Sequence, residues 1–339
     1  MAMLVNRRRW LGFLALAGLQ CGAGATVFAQ MRLGPNRLEP CDVFPKYKSR
    51  VRFYVRGNYR YCDSNGIPNH KVGRFPERGC PNAIRPQDFH FRMPLHPHRV
   101  SKLIPVHNWV IFGVGLDGVV FDPGTAAFWH HERNSIWNIT VMTGFGNLGL
   151  DASHAHVQHN GTYHYHGVPT ELIRSLNGWG KVTLIGYAAD GFPIYGPWGY
   201  VNAHDTHSGV RLLRSSYRLK RGDRPSPPAG PGGRYDGRYT GDFEYVAGAG
   251  DLDAANGRFG ITPEYPDGTY YYVVTNEFPF ISRQFRGRPD RSFYKHPGGR
   301  GRGGGGGRAG GGGGWGRPGG GRRRPPFGPG GPPFNLLGM

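Results

Sequence analysis

The chain reads as a mainly β protein: antiparallel sheets in a sandwich or barrel-like arrangement, with long Gly/Pro-rich loops and few short helices. Three observations predict this. Short runs are rich in branched and aromatic residues, Gly, Pro, Asn and Asp punctuate them, and long helical periodicity is nearly absent. In chain order the clearest strands are Val51 to Val55, Trp109 to Val114, Trp137 to Met142, Val182 to Tyr187 and Thr269 to Thr275. Glu171 to Leu176 suits one or two helical turns. The pattern shows no fixed-period repeat and does not choose between sandwich and barrel.

Both ends differ from this body. Arg7, Arg8 and Arg9 precede an apolar run from Trp10 to Leu19 and then small residues, with Ala29 as a cleavage point. Residues 1–29 therefore read as a signal peptide, and the protein as exported to the periplasm or extracellular space. The run is about ten residues, too short to span a bilayer, and no later segment reads as a transmembrane helix. The arginines also fit a loose twin-arginine signal. Residues 297–339 hold 21 of the 58 glycines, 7 arginines and no acidic residue, which predicts a disordered basic tail. Of the formal charge of +20, Arg7 to Arg9 carry 3 and the tail 7, so the folded residues 30–296 keep about half and need no acidic substrate. Such a tail can bind single-stranded nucleic acid, but export makes that partner less available. A solvated tether, or loose contact with an anionic polymer or envelope surface, fits better.

Export also makes Cys41, Cys62 and Cys80 disulfide candidates. Cys62 with Cys80 closes the shortest later loop and is the preferred pair, with Cys41 joining one of them as the alternative. No Cys-x-x-Cys occurs, so neither a redox motif nor a thiolate zinc site is expected.

The chemistry concentrates between Asp151 and Gly167, which holds five of the fifteen histidines. His154 alternates with His156, and His164 with His166, so on strands each pair shares a face. Asn160-Gly161 between them signals a hairpin. If those two residues form the whole loop, the histidine pairs fall on opposite faces. If His159-Asn160 is the centre of a type I turn and Gly161 a left-handed bulge, Gln158 pairs with Thr162, His156 faces His164, and His154 faces His166. The second geometry is preferred, because Asn suits the position before a bulge glycine and the histidines then share one face. Opposed β-carbons lie about 4.5–5.5 Å apart, near enough for imidazoles to meet on one ion. Neutral imidazoles suit transition metals rather than magnesium or calcium, with copper first and zinc next. Histidines that stack on aromatics or satisfy backbone groups are the ordinary alternative.

Tyr163-His164-Tyr165-His166, within Asn160 to Gly167, resembles the signature of the YHYH-domain proteins. Ser64 to His70, Gly186 to Gly196, and Leu252-Asp253 through Thr262 to Pro266 are similar to further segments of that family in the same order, so the resemblance runs from about residue 51 to 291. The family is largely exported and bacterial, and the resemblance names a domain rather than an activity. It also implies Asn as the usual residue where this chain has His154, and Pro where it has His159. Pro fits the first central position of a type I turn, which supports the bulged geometry. His154 thereby becomes a further candidate rather than an obligatory ligand, and His70 the fourth to join His156, His164 and His166.

Other polar residues are weaker candidates. Asp190, in a turn, and Glu264, between Pro263 and Tyr265, could serve as carboxylate acid or base. Asp151 orients an imidazole or merely starts the hairpin. His130 and His131 diverge on a strand, while Pro94 and Pro97 place His96 and His98 in an irregular loop. Tyr163, Tyr165, Tyr195 and Tyr265 offer phenols beside an ion, or simple packing. Nucleophile elbow, phosphate-binding glycine loop and zinc-protease helix are all lacking. Two classes remain: an exported metal-binding protein, as store, carrier, oxidoreductase or hydrolase, and a non-catalytic envelope or matrix module with structural histidines.

Overall fold

Alternating side chains make the first region a three-stranded antiparallel sheet: Val51–Arg56 (β1), Tyr59–Ser64 (β2) and Phe89–Pro94 (β3). Phe53, Cys62 and Phe91 pair across it and pack on the main core, while Tyr54 and Tyr61 stack on the other face at 5.1 Å. The computed structural model describes residues 38–133, 135–143 and 148–295. The signal peptide expected at 1–29 and the tail expected at 297–339 lie outside the described residues.

The larger sheet has eight strands. In chain order these are Gly113–Gly115 (β4), Val120–Phe121 (β5), Ala155–Val157 (β6), Tyr163–Tyr165 (β7), Leu184–Ala188 (β8), Pro193–Tyr195 (β9), Gly257–Thr262 (β10) and Tyr265–Val273 (β11). Their spatial order is β10-β11-β9-β8-β4-β5-β7-β6. All neighbours are antiparallel except β9 with β11 and β5 with β7. The fold is thus mainly antiparallel β with few short helices, as the sequence predicts. The sheet ends at β10 and β6, so no closed barrel forms among the described residues. The edge strand β6 is blunted by side chains: Cys80 Sγ bonds the Val157 carbonyl (3.3 Å) and amide (3.4 Å), and Asn82 Nδ2 donates to the same carbonyl (2.9 Å).

Several element boundaries move. Trp137 to Met142 is not a strand: Asn138 and Ile139 make single bridges and Val141–Thr143 is a 3-10 turn. Side chains replace the ladder there. Asn138 Nδ2 donates to the Thr125 and Ala127 carbonyls, and Thr140 Oγ1 to the Gly237 carbonyl. Trp109 to Val114 shortens to β4 plus a bridge at Val110, and the helix is Thr170–Ser175 (α1). Among the described residues no helix is long and apolar enough to cross a membrane.

The preferred Cys62–Cys80 disulfide does not form, nor does one to Cys41: all three thiols are free. They are held in different places. Cys62 points into the core from β2, Cys80 caps the β6 edge, and Cys41 lies 3.8 Å from Ser153 Oγ. Burial pushes the Cys41 and Cys62 thiols up to about 12.

Candidate metal centre

The loop between β6 and β7 adopts the bulged geometry. The Gln158 amide donates to the Thr162 carbonyl (2.9 Å), the Gly161 amide to the Gln158 carbonyl (2.8 Å), and Asn160 Oδ1 accepts from the Thr162 amide (3.1 Å). Gly161 takes φ +90°, open to glycine but costly for a residue with a Cβ. The register follows: His156 pairs with His164.

His154 departs from that pattern. Its carbonyl does accept from the His166 amide (2.8 Å), as the register requires, but its φ of +53° turns the side chain away, and Nδ1 bonds the Val168 carbonyl (2.8 Å). The cause is Asp151, whose Oδ1 accepts from the Ser153 and Ala155 amides and bends the chain just before β6. His154 is therefore not in the cluster, and Asp151 starts the hairpin rather than orienting a clustered imidazole.

His156, His164 and His166 do converge. The Nε2 of His166 lies 2.9 Å from that of His164 and 3.1 Å from that of His156, and the three residues offer ligand atoms within 4.8 Å of one another. His156 Nδ1 bonds the Leu148 carbonyl (2.7 Å) and His164 Nδ1 the Thr162 carbonyl (3.2 Å). A carbonyl only accepts, so both rings carry their proton on Nδ1 and turn a bare Nε2 lone pair inward. His166 cannot resolve the crowding alone, since its Nδ1 is buried without a partner among the described residues. A proton on Nε2 serves only one neighbour and strands Nδ1, and a proton on Nδ1 is a buried donor without an acceptor. A cation at the meeting point removes the repulsion between the three Nε2 atoms, because nitrogens about 2.0–2.1 Å from a tetrahedral ion lie roughly 3.3 Å apart; it does so with the His166 proton on Nδ1, which keeps no partner among the described residues. Burial, then mutual repulsion, holds His164 and His166 well below the usual imidazole range, and burial lowers His156. The rings are neutral ligands at neutral pH, and together they can hold a metal ion.

His70 is not brought to this group. It sits against the other face of the hairpin, with Nδ1 donating to the Lys71 carbonyl (2.8 Å) and Nε2 bonded to Tyr165 Oη (2.7 Å), which donates to Asp117 Oδ2 (2.7 Å). Burial pulls its pKa down, but the hydrogen bond and charge of Asp117 outweigh that and raise it. Tyr163 on the same face donates to Asp151 (2.6 Å). Asp190 is a buried anchor for Tyr272 and the Gly287 amide, and Glu264 is an exposed acceptor for Tyr195. Neither lines the cleft described next.

In front of the triad lies a cleft of about 420 Å³, bordered by Ala126, Ala127, Phe128 and Leu148 and by polar Asp122, Gln158 and Lys295. Sequence reasoning missed Asp122. It follows β5, which runs parallel to β7 with Phe121 against Tyr165 (5.3 Å), so the next side chain points to the histidine side. Its one sequence signal is an aspartate ending the apolar run Val119 to Phe121.

No curated protein and no solved structure matches the chain. A family model described as YHYH protein matches residues 90–287, which takes in the hairpin, Asp122 and the segments around Asp190 and Glu264 but leaves Ser64 to His70 outside. That match spans more than half of the chain and has the triad-bearing ribbon inside it, so the chain belongs to the YHYH family.

Proposed function

We propose that this protein binds one transition-metal ion through the Nε2 atoms of His156, His164 and His166, copper being preferred and zinc next. The observation that carries the reading is the convergence of three neutral imidazoles, two with their Nδ1 protons committed to carbonyls. Imidazole-only donors suit copper and zinc, and copper stands above zinc in the affinity order. The N-terminal leader supports an exported protein that meets its ion in the periplasm or outside the cell, with residues 30–296 as the folded domain. In that setting the tail serves as a solvated tether, or makes loose contact with an anionic polymer or envelope surface. Elemental analysis of the mature protein made in its native compartment tests the metal reading. Close to one copper or zinc per chain is expected, and none after reconstitution with either ion overturns it.

A further inference from the structure

Three protein ligands leave room on an ion for a molecule from outside, and the cleft in front of them carries a carboxylate that the fold aims without consuming. Asp122 is 2% exposed. Its Oδ2 accepts from Lys295 Nζ and from Gln158 Nε2 (3.1 Å), while Oδ1 has no hydrogen-bond partner among the described residues. The ligand group within 4.8 Å contains the imidazoles and no carboxylate, and Asp122 lines the same cleft as they do.

We propose that Asp122 is the proton acceptor of a hydrolytic centre for small carboxylic esters held in the cleft, where an ion held by His156, His164 and His166 would supply Lewis acidity. This rests on the metal-binding reading above. One O–H bond of an attacking water breaks, its proton passes to Asp122 Oδ1, and the oxygen bonds the acyl carbon as the carbonyl π pair moves onto the carbonyl oxygen. That pair then re-forms the C=O bond as the bond to the leaving alcohol breaks, and Asp122 returns the proton to the departing oxygen; there is no net oxidation or reduction. Sites with three protein ligands and an open position are the catalytic kind, whereas structural zinc sites are closed by four. The ammonium of Lys295 and the amide of Gln158 hold Oδ2 and so fix the carboxylate in the cleft, as a positioned general base requires. A cleft of about 420 Å³ with Ala126, Ala127, Phe128 and Leu148 in its walls admits a small molecule and limits bulk water. An ester suits it better than a phosphate monoester, because the lining imidazoles are neutral, Lys295 is already paired with Asp122, and Arg133, the other lining cation among the described residues, is exposed.

The test uses full-length zinc-loaded protein and Asp122→Asn. Acetohydroxamate, which gives up its proton on binding zinc, is titrated calorimetrically near neutral pH in two buffers of different ionisation enthalpy, with zinc content measured alongside. The expected result is zinc retained in both proteins, affinity at least ~10-fold weaker in the variant, and about one more proton released to buffer by the variant than by the parent. Hydrolysis of p-nitrophenyl acetate should fall about 100-fold or more. Lys295→Met, which keeps the carboxylate but removes its anchor, should lie between the two and serves if Asp122→Asn does not fold. Unchanged affinity and proton release with zinc retained overturn the proposal. Loss of zinc from Asp122→Asn also overturns it, by assigning Asp122 to metal retention. A parent protein that holds no zinc or copper counts instead against the metal reading.

Discussion

The hairpin Ala155 to Tyr165 and the residue after it present imidazoles on one face and phenols on the other, and the two faces treat buried polarity differently. On the tyrosine face every group is partnered within the protein: Tyr163 with Asp151, Tyr165 with Asp117 and His70, and His70 with the Lys71 carbonyl. On the histidine face three Nε2 atoms meet and one ring nitrogen has no partner among the described residues. A buried network that closes on itself stabilises a fold, and one that converges unsatisfied implies a ligand.

The comparison can be broken most directly by removing one face. His164→Ala with His166→Ala should take the metal content from about one ion per chain to almost none, while His70→Ala leaves it unchanged; elemental analysis of both decides whether the two faces differ as described. Tyr165→Phe cuts the other network. It should cost about 1–3 kcal/mol in urea unfolding, by stripping a donor from buried Asp117, and keep the ion.

The faces should also titrate in opposite senses. His156, His164 and His166 are lowered from 6.5, so below that value the unfolded chain takes protons that the folded one refuses, and metal-free stability falls as pH drops. His70 is raised from 6.5, so its contribution is full below that value and lost as pH rises through its folded pKa. Unfolding of the parent and His70→Gln across this range should show their difference shrinking toward alkaline pH. A constant difference would remove the ion-pair account of His70. The smallest effect is expected from His154→Asn, with metal unchanged and stability shifted by no more than about 1 kcal/mol, since Asn tolerates a positive φ but loses the bond to Val168.

What could be read from the sequence was what short-range chemistry decides. Asn160-Gly161 marks the hairpin and leaves two loops open, the preferred bulged loop sets the register, and that register places His156 across from His164. His154 was misread because its side chain is aimed by a backbone twist that Asp151 imposes, and no alternation rule carries that information. His70 illustrates a different gap: it does reach the ribbon, but a segment match says nothing about which side it reaches. Asp122 and Lys295 were invisible because they meet only through the parallel pairing of β5 with β7 and the return of the chain near residue 295. The run Trp137 to Met142 had strand composition, but its own Asn and Thr side chains satisfied the neighbouring backbone instead.

The capped rim at Val157 has one more implication. Sheets with a bare margin recruit a second molecule by adding strands, and any such addition here would tug on the residue adjoining His156. With Cys80 and Asn82 already bound to that margin, crowding between copies is decoupled from the spacing of the imidazoles, so the cluster should behave identically in dilute and concentrated protein.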